Sequence, residues 1–176
     1  MTPARRVAIL GSASSGKTTL ALALARHYDT AWVPEYLREF VDGEGRLPVE
    51  QEQIHIARTQ VAREAALVAQ ARQYLFCDTT PLMTAVYSRY YFHGVDAELA
   101  ALARQHTYDV TLLCAPDIPW VPEGFHREQE DVSGAIFALL VEALTAQGVA
   151  YTLVSGAAQQ RLTNVERILG GPVKVA

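Results

Sequence analysis

Short apolar runs alternate with longer amphipathic stretches along the whole chain. Val7–Leu10 is a first run, followed by a glycine-serine loop and then by helical apolar spacing over Thr18–His27. Ala31–Val33 is a second run, closed by Pro34. Leu47–Gln73 predicts a long helical stretch, rich in Ala, Arg, Glu and Gln, with Ile54, Ala57, Val61 and Ala65 at helical spacing. Tyr74–Cys77, Val110–Cys114 and Tyr151–Val154 predict three more strands. Helices are expected over Pro81–Tyr91, over Asp96–Gln105, and over roughly Ala158–Leu169, the last ended by Gly170-Gly171-Pro172. Strands without polar alternation, separated by helices, imply a parallel sheet covered on both faces. With no repeat or linker in sight, the expectation is one α/β domain over residues 1–176.

Pro116–Gly134 breaks the rhythm. It holds three prolines, two glycines, Trp120 and the charged run His126–Asp131. A connection this long in a compact domain suggests a lid, and the plainer alternative is a solvated loop leading into a helix start.

Composition narrows the class. Half the residues are apolar and 19% are charged, which excludes a disordered or fibrous chain. The net charge of −4 argues against a general nucleic-acid partner. No apolar run is long enough for a membrane span, and Gly11 arrives before a signal-peptide core could form, so the expected location is the cytoplasm. Cys77 and Cys114 have no metal-ligand spacing and are expected to be buried structural thiols. The sequence leaves self-association into a homo-oligomer open.

The strongest chemical signal is Gly11-Ser12-Ala13-Ser14-Ser15-Gly16-Lys17-Thr18, a full match to G-x-x-x-x-G-K-[ST]. A strand precedes it and a helix follows, as the motif requires. Glycines let the backbone wrap a phosphate at a helix N-terminus. Lys17 then supplies charge to the β- and γ-phosphates, and the Thr18 hydroxyl joins a magnesium shell. The chain has only two lysines among its 15 basic residues, and one of them sits here. A nucleoside triphosphate ligand follows.

Phosphoryl transfer also needs a carboxylate near the metal, and Asp78 stands at the end of the third strand. It could equally cap the next helix with Thr79 and Thr80. The second strand ends in Val33-Pro34-Glu35-Tyr36-Leu37-Arg38-Glu39. In a parallel sheet the carboxyl ends of strands face the ligand, so Glu35 could accept a proton from a substrate hydroxyl. Arg38, one turn on, could hold a polar substrate group; the pair could also be a surface ion pair on a short helix. Glu35 is favoured as base and Asp78 as metal organiser, with the reverse open. Aromatic residues gather at Trp32, Tyr36, Tyr87–Phe92 and Trp120. Most of the Tyr87–Phe92 stripe suits a core, whereas Trp120, between prolines in a polar loop, suits a ring platform.

Together these residues resemble the nicotinamide riboside kinase domain of the NadR type. The segments that carry the resemblance are Gly11–Thr19, Ala31–Glu39, Phe76–Thr79, Tyr108–Leu113 and Asp117–Gly124, in the family's order and nearly at its spacing. It covers the chain from Arg6 to about Leu169. The resemblance implies a P-loop NTPase fold with a five-stranded parallel sheet in 2-3-1-4-5 order, ATP and Mg2+, and phosphorylation of a ribose 5′-hydroxyl. It implies that Gly11 to Thr19 hold the triphosphate, that Thr18 and Asp78 serve the magnesium ion, and that Ser155 and Gly156 lie near adenine. Glu35, Tyr36, Arg38 and Asp78 would face the nucleoside, and Trp120 would lie against its ring.

Two departures qualify it. Ala13 stands where family members often carry an acid. The lid's usual pair of arginines is reduced to Arg127 in Gly124-Phe125-His126-Arg127. The alternatives are a kinase for another nucleoside or vitamin precursor, and an ATP-dependent switch with a protein target.

Overall fold

The computed structural model describes residues 3–119 and 130–173. Five parallel strands form one sheet: β1 (Arg5–Leu10), β2 (Trp32–Val33), β3 (Tyr74–Asp78), β4 (Val110–Cys114) and β5 (Thr152–Val154), in the order β2-β3-β1-β4-β5. This is the implied 2-3-1-4-5 order. The central strand β1 pairs Ile9 with Asp78 on one side and with Leu112 on the other. Seven helices flank the sheet among the described residues: α1 (Lys17–His27), α2 (Tyr36–Glu44), α3 (Gln53–Leu67), α4 (Pro81–Phe92), α5 (Ala97–Gln105), α6 (Glu130–Ala146) and α7 (Ala158–Leu169).

Alternate residues of each buried strand serve opposite layers, because strand side chains have period two. Val7, Ile9, Phe76, Leu112 and Cys114 pack on Leu20, Leu24 and Tyr28 of α1 and its edge and on Val165 of α7. On the other face Leu10 and Leu113 meet Met83 of α4 and Ile136, Leu140 and Leu144 of α6. Two tyrosines fasten α7: Tyr28 and Tyr74 donate to the Gly170 and Leu169 carbonyls, both at 2.5 Å. Those carbonyls are among the group a helix end leaves without intrahelical partners.

Three expectations change. The stretch Leu47–Gln73 is not one helix: a 3-10 turn at Glu50–Glu52 leads into α3, and a second at Val68–Gln70 ends it. Pro48 disfavours a helical conformation at Leu47, and Glu52 accepts from the Val49 N–H and from Arg46, forming a separate corner. The buried face of α3 carries Gln53, Ile56, Ala57, Gln60 and Glu64, while Ala65 is exposed. Hydropathy spacing points to the wrong stripe here because three of the inward residues are polar. Finally, α6 begins at Glu130, so the last five residues of the expected lid are helical. Trp120 and Arg127 lie outside the described residues.

The Tyr87–Phe92 stripe is largely structural, with Tyr87 and Tyr90 against the α4–α6 core and Tyr91 exposed. Cys77 and Cys114 are both buried and unpaired, and burial pushes both thiols up, Cys114 to about 11. No helix among the described residues is long and apolar enough to cross a membrane.

Candidate functional site

The loop between β1 and α1 turns through two left-handed positions, Ser14 (φ 56°) and Gly16 (φ 84°), before Lys17 opens the helix. Gly16 is required twice over. A Cβ there would add strain at that φ and would lie 3.2 Å from both the Arg161 Nη1 and the Ile118 Cδ1. Lys17 is buried, and its ammonium donates to the Ser12 carbonyl at 3.0 Å. Across the loop, Ser133 of α6 sets its hydroxyl 2.7 Å from Ser12 Oγ and 3.2 Å from the Ala13 carbonyl. The acid-free third position of the loop therefore lies against α6.

The carboxyl ends of β2 and β3 bring the expected carboxylates to this loop. Thr18 donates to Asp78 Oδ2 at 2.5 Å, while the buried Asp78 Oδ1 has no partner among the described residues. Burial, then the nearby Glu35 carboxylate, raises Asp78 from 3.8 to about 6, against the opposing pull of Lys17, the Thr18 hydroxyl and Arg38. Thr79 follows with φ 79°, a strained conformation for a β-branched residue. That turn lets its hydroxyl donate to Glu35 Oε1 at 3.2 Å. Asp78 is thus a strand-end acid and not the cap of α4, a position held by Thr80.

A hard divalent ion suits this arrangement. An orphaned carboxylate oxygen and a hydroxyl stand side by side next to a phosphate loop, and magnesium takes few protein oxygens together with substrate phosphates.

Two buried polar residues that sequence periodicity does not single out organise these groups. Gln60 of α3 accepts from the Tyr36 N–H at 2.9 Å and donates to the Pro34 and Asp78 carbonyls, each at 3.3 Å. It brackets Glu35 on both sides and ties β2's end to β3's. Arg161 of α7 donates to the Ser15 carbonyl (2.5 Å), the Ala115 carbonyl (3.0 Å), the Gly156 carbonyl (2.8 Å) and Asp117 Oδ1 (2.5 Å). The other Asp117 oxygen accepts from the Gly156 N–H at 2.6 Å. Although burial works against it, the Asp117 carboxyl is held below its ordinary value by that N–H and by the guanidinium. The only signals that could have flagged Gln60 and Arg161 were their polar character at inward helical positions.

Gly156 is tied to the loop through Arg161, which donates to its carbonyl and to that of Ser15. Beside them is a small cavity of about 80 Å³ lined by Gly16, Thr19, Leu20, Ala23, Ile118, Ala158 and Arg161. Its walls are mainly aliphatic, and a flat base could lie there.

Tyr36 is less free than expected. Its ring faces the Arg63 guanidinium at 4.6 Å and meets Phe40 and His55 edge-on, within the α2–α3 packing. Arg38 is exposed at the site's rim, and its charge acts on Asp78. Glu39 pairs with Arg63, in keeping with a structural role.

Replacing Gln60 by Leu should lower acceptor-dependent turnover by about 10-fold or more, since Glu35 loses both flanking anchors. Stability should fall by about 1–3 kcal/mol from the unpaired backbone groups left behind. Urea titration alongside initial rates checks both; unchanged turnover with reduced stability would restrict Gln60 to a structural role.

A family model for the AAA domain matches residues 6–161. The chain belongs to the AAA domain family. This AAA domain is 29% identical over 160 residues to the trifunctional NAD biosynthesis/regulator protein NadR of Salmonella typhimurium, covering 87% of the chain but 38% of that relative. The chain therefore spans well under half of the relative's length. A crystal structure of NadR in complex with NR superposes with a TM-score of 0.82 at 19% identity, covering 98% of this chain and 53% of that one. A second, of NadR in complex with NAD and AMP-PNP, gives 0.77 at 21% identity, covering 98% and 52%. At those identities the structures establish a shared fold for the AAA domain described here.

Proposed function

We propose that residues 1–176 form a kinase domain that uses ATP and magnesium to phosphorylate the 5′-hydroxyl of nicotinamide riboside, giving nicotinamide mononucleotide. The observation that carries this reading is the pair of carboxylates, Glu35 and Asp78, on neighbouring strand ends at the phosphate loop. The likeness to NadR structures holding NR and an ATP analogue supports the choice of acceptor and donor.

In the proposed reaction the loop N–H groups from Gly11 to Thr19 cradle the phosphates, and Lys17 exchanges the Ser12 carbonyl for a phosphate oxygen. Thr18 and Asp78 would hold Mg2+, which neutralises charge on the β- and γ-phosphate oxygens when bound. Glu35 takes the proton of the 5′-hydroxyl as that oxygen bonds to the γ-phosphorus and the bond to ADP breaks. The assignment of base follows from engagement: Asp78 Oδ2 is already committed to Thr18, while among the described residues Glu35 accepts from one weak donor, Thr79. Arg38 and Tyr36 would border the nucleoside, and the aliphatic cavity between Thr19, Ile118 and Arg161 would take adenine, with Ser155 and Gly156 assigned to it from the sequence. Trp120 as ring platform and Arg127 as phosphoryl clamp complete the proposal from the sequence.

The test is magnesium-dependent ADP release with and without nicotinamide riboside, beside a panel of other nucleosides. Stimulation by nicotinamide riboside is the expected result. Stimulation only by a different nucleoside would discard the acceptor, and ATP binding with no acceptor would discard the kinase. Glu35→Gln should lower kcat by about 10²–10⁴-fold, as loss of a general base does, with the KM for ATP little changed. A full-rate Glu35→Gln enzyme would reverse the roles of the two acids.

A further inference from the structure

On the sheet face opposite α1, a cavity of about 550 Å³ runs from the amino-terminal ends of β4 and β5 up to the end of β1 and the residues just past β3. It is several times larger than the cavity beside the phosphate loop and falls within the range of small-molecule sites. Its wall is mixed: aliphatic residues such as Ala8, Leu10 and Leu82 stand beside polar ones such as His106, Tyr108 and Asp109.

Two features distinguish it from a packing fault. Thr80 and Thr111 line it and are 2% and 7% exposed, yet neither hydroxyl has a hydrogen-bond partner among the described residues. Thr80 occupies the N-cap of α4 without making the side-chain cap bond that this position normally supplies. Neither oxygen is sealed from the cavity, so each can bond a guest that brings a polar group of its own. At the mouth Arg104, in the last turn of α5, has no ion-pair partner among the described residues. The nearby acids are occupied: Asp109 accepts from the Arg6 N–H at 2.7 Å, and Glu64 is bonded to His106 and Tyr108.

We infer that this cavity is a second ligand site, separate from the nucleotide cleft. Its ligand is a small molecule with an apolar portion, a hydrogen-bonding group for the threonine hydroxyls, and an anionic group for Arg104 at the mouth. The inner end reaches Thr80, next to the Thr79 that bonds Glu35, so the site backs directly onto the strand ends of the first.

The probe for the test is 8-anilinonaphthalene-1-sulfonate, an aromatic body with one sulfonate, titrated by fluorescence into the full chain. Expected is saturable binding of one probe per chain that saturating magnesium–ATP does not displace. Arg104→Met should weaken it at least fivefold, and Ala146→Trp, at an exposed position in the cavity wall, should abolish it. Both changes are at the surface, and an unaltered melting temperature verifies the fold. Absence of saturable binding, displacement by magnesium–ATP, or full affinity in both variants would overturn the inference. Because the readout is binding and not phosphoryl transfer, its failure is separate from failure of the kinase reading.

Discussion

Asp78→Asn is expected to make the ligand-free protein more stable, raising its melting temperature by about 2–12 °C, while lowering turnover by at least about 10²-fold. Both effects have one source. Asp78 is fully buried beside Glu35, and its carboxyl is raised from 3.8 to about 6. A group whose folded-state value lies above its unfolded one contributes stability that is complete below the unfolded value and is lost as pH rises through the folded one. Here the window runs from about pH 4 to about pH 6, and a shift of this size is worth on the order of 1–3 kcal/mol. At neutral pH the wild-type protein carries that burden and the amide variant does not. The gap in melting temperature between the two should therefore be large at pH 8 and close to zero at pH 4.

Magnesium–ATP should reverse the ranking, because an ion beside the carboxylate compensates its charge in the wild type and finds no charge in the variant. Thermal melts at the two pH values, with and without magnesium–ATP, check each part. A variant that is less stable than wild type at pH 8, or a gap that does not change with pH, would contradict the burial account. The strain at Thr79 and the orphaned Asp78 oxygen belong to the same pattern, in which a site prepared for a cation is unfavourable without it.

Arg161→Met should have the largest effect on folding, a loss of about 3 kcal/mol and a fall of about 6–12 °C in melting temperature. The side chain is 3% exposed and its donors serve three carbonyls from three separate segments, Ser15, Ala115 and Gly156, besides Asp117. Methionine fills similar volume but leaves those acceptors without donors, and buried unpaired acceptors carry most of the cost. The KM for ATP should rise about 10-fold or more, since the Ser15 end of the phosphate loop and the wall of the base cavity move independently once the guanidinium is gone. Lysine should restore little, because a single ammonium cannot span a fork of four acceptors. Asp117→Asn is the milder comparison: it keeps the Arg161 bonds to carbonyls and should cost about 1 kcal/mol. Denaturant titrations on the three variants, with ATP dependence of the rate, decide the matter; an Arg161→Met protein as stable as wild type would show that the loop holds itself.

The extent to which the site was legible follows the distance over which its signals act. Lys17 and Thr18 lie in one unbroken motif, and the strand-end acids Glu35 and Asp78 lie where a parallel sheet must present them. Strands β1, β3 and β4 were plain because they are buried on both faces, which removes the polar alternation. By contrast, Gln60 and Arg161 were invisible. Each bonds to residues 18 to 146 positions away, and hydropathy assigns a polar side chain to water unless its partners are known. The same blindness turned the predicted face of α3, since Gln60 and Glu64 point inward with partners supplied by β2, β3 and the approach to β4. Tyr36 shows the converse: an aromatic expected to face substrate has its ring over Arg63, a contact made only when α2 packs on α3.

By itself, then, the sequence determined the phosphate loop, the α/β alternation and which acids stand at strand ends, because each is written in adjacent residues or in a short period. The tertiary structure alone decided how those acids are charged, what anchors them and where cavities open. Those properties depend on desolvation and on hydrogen bonds between distant segments, which exist only once the sheet and its helices have packed.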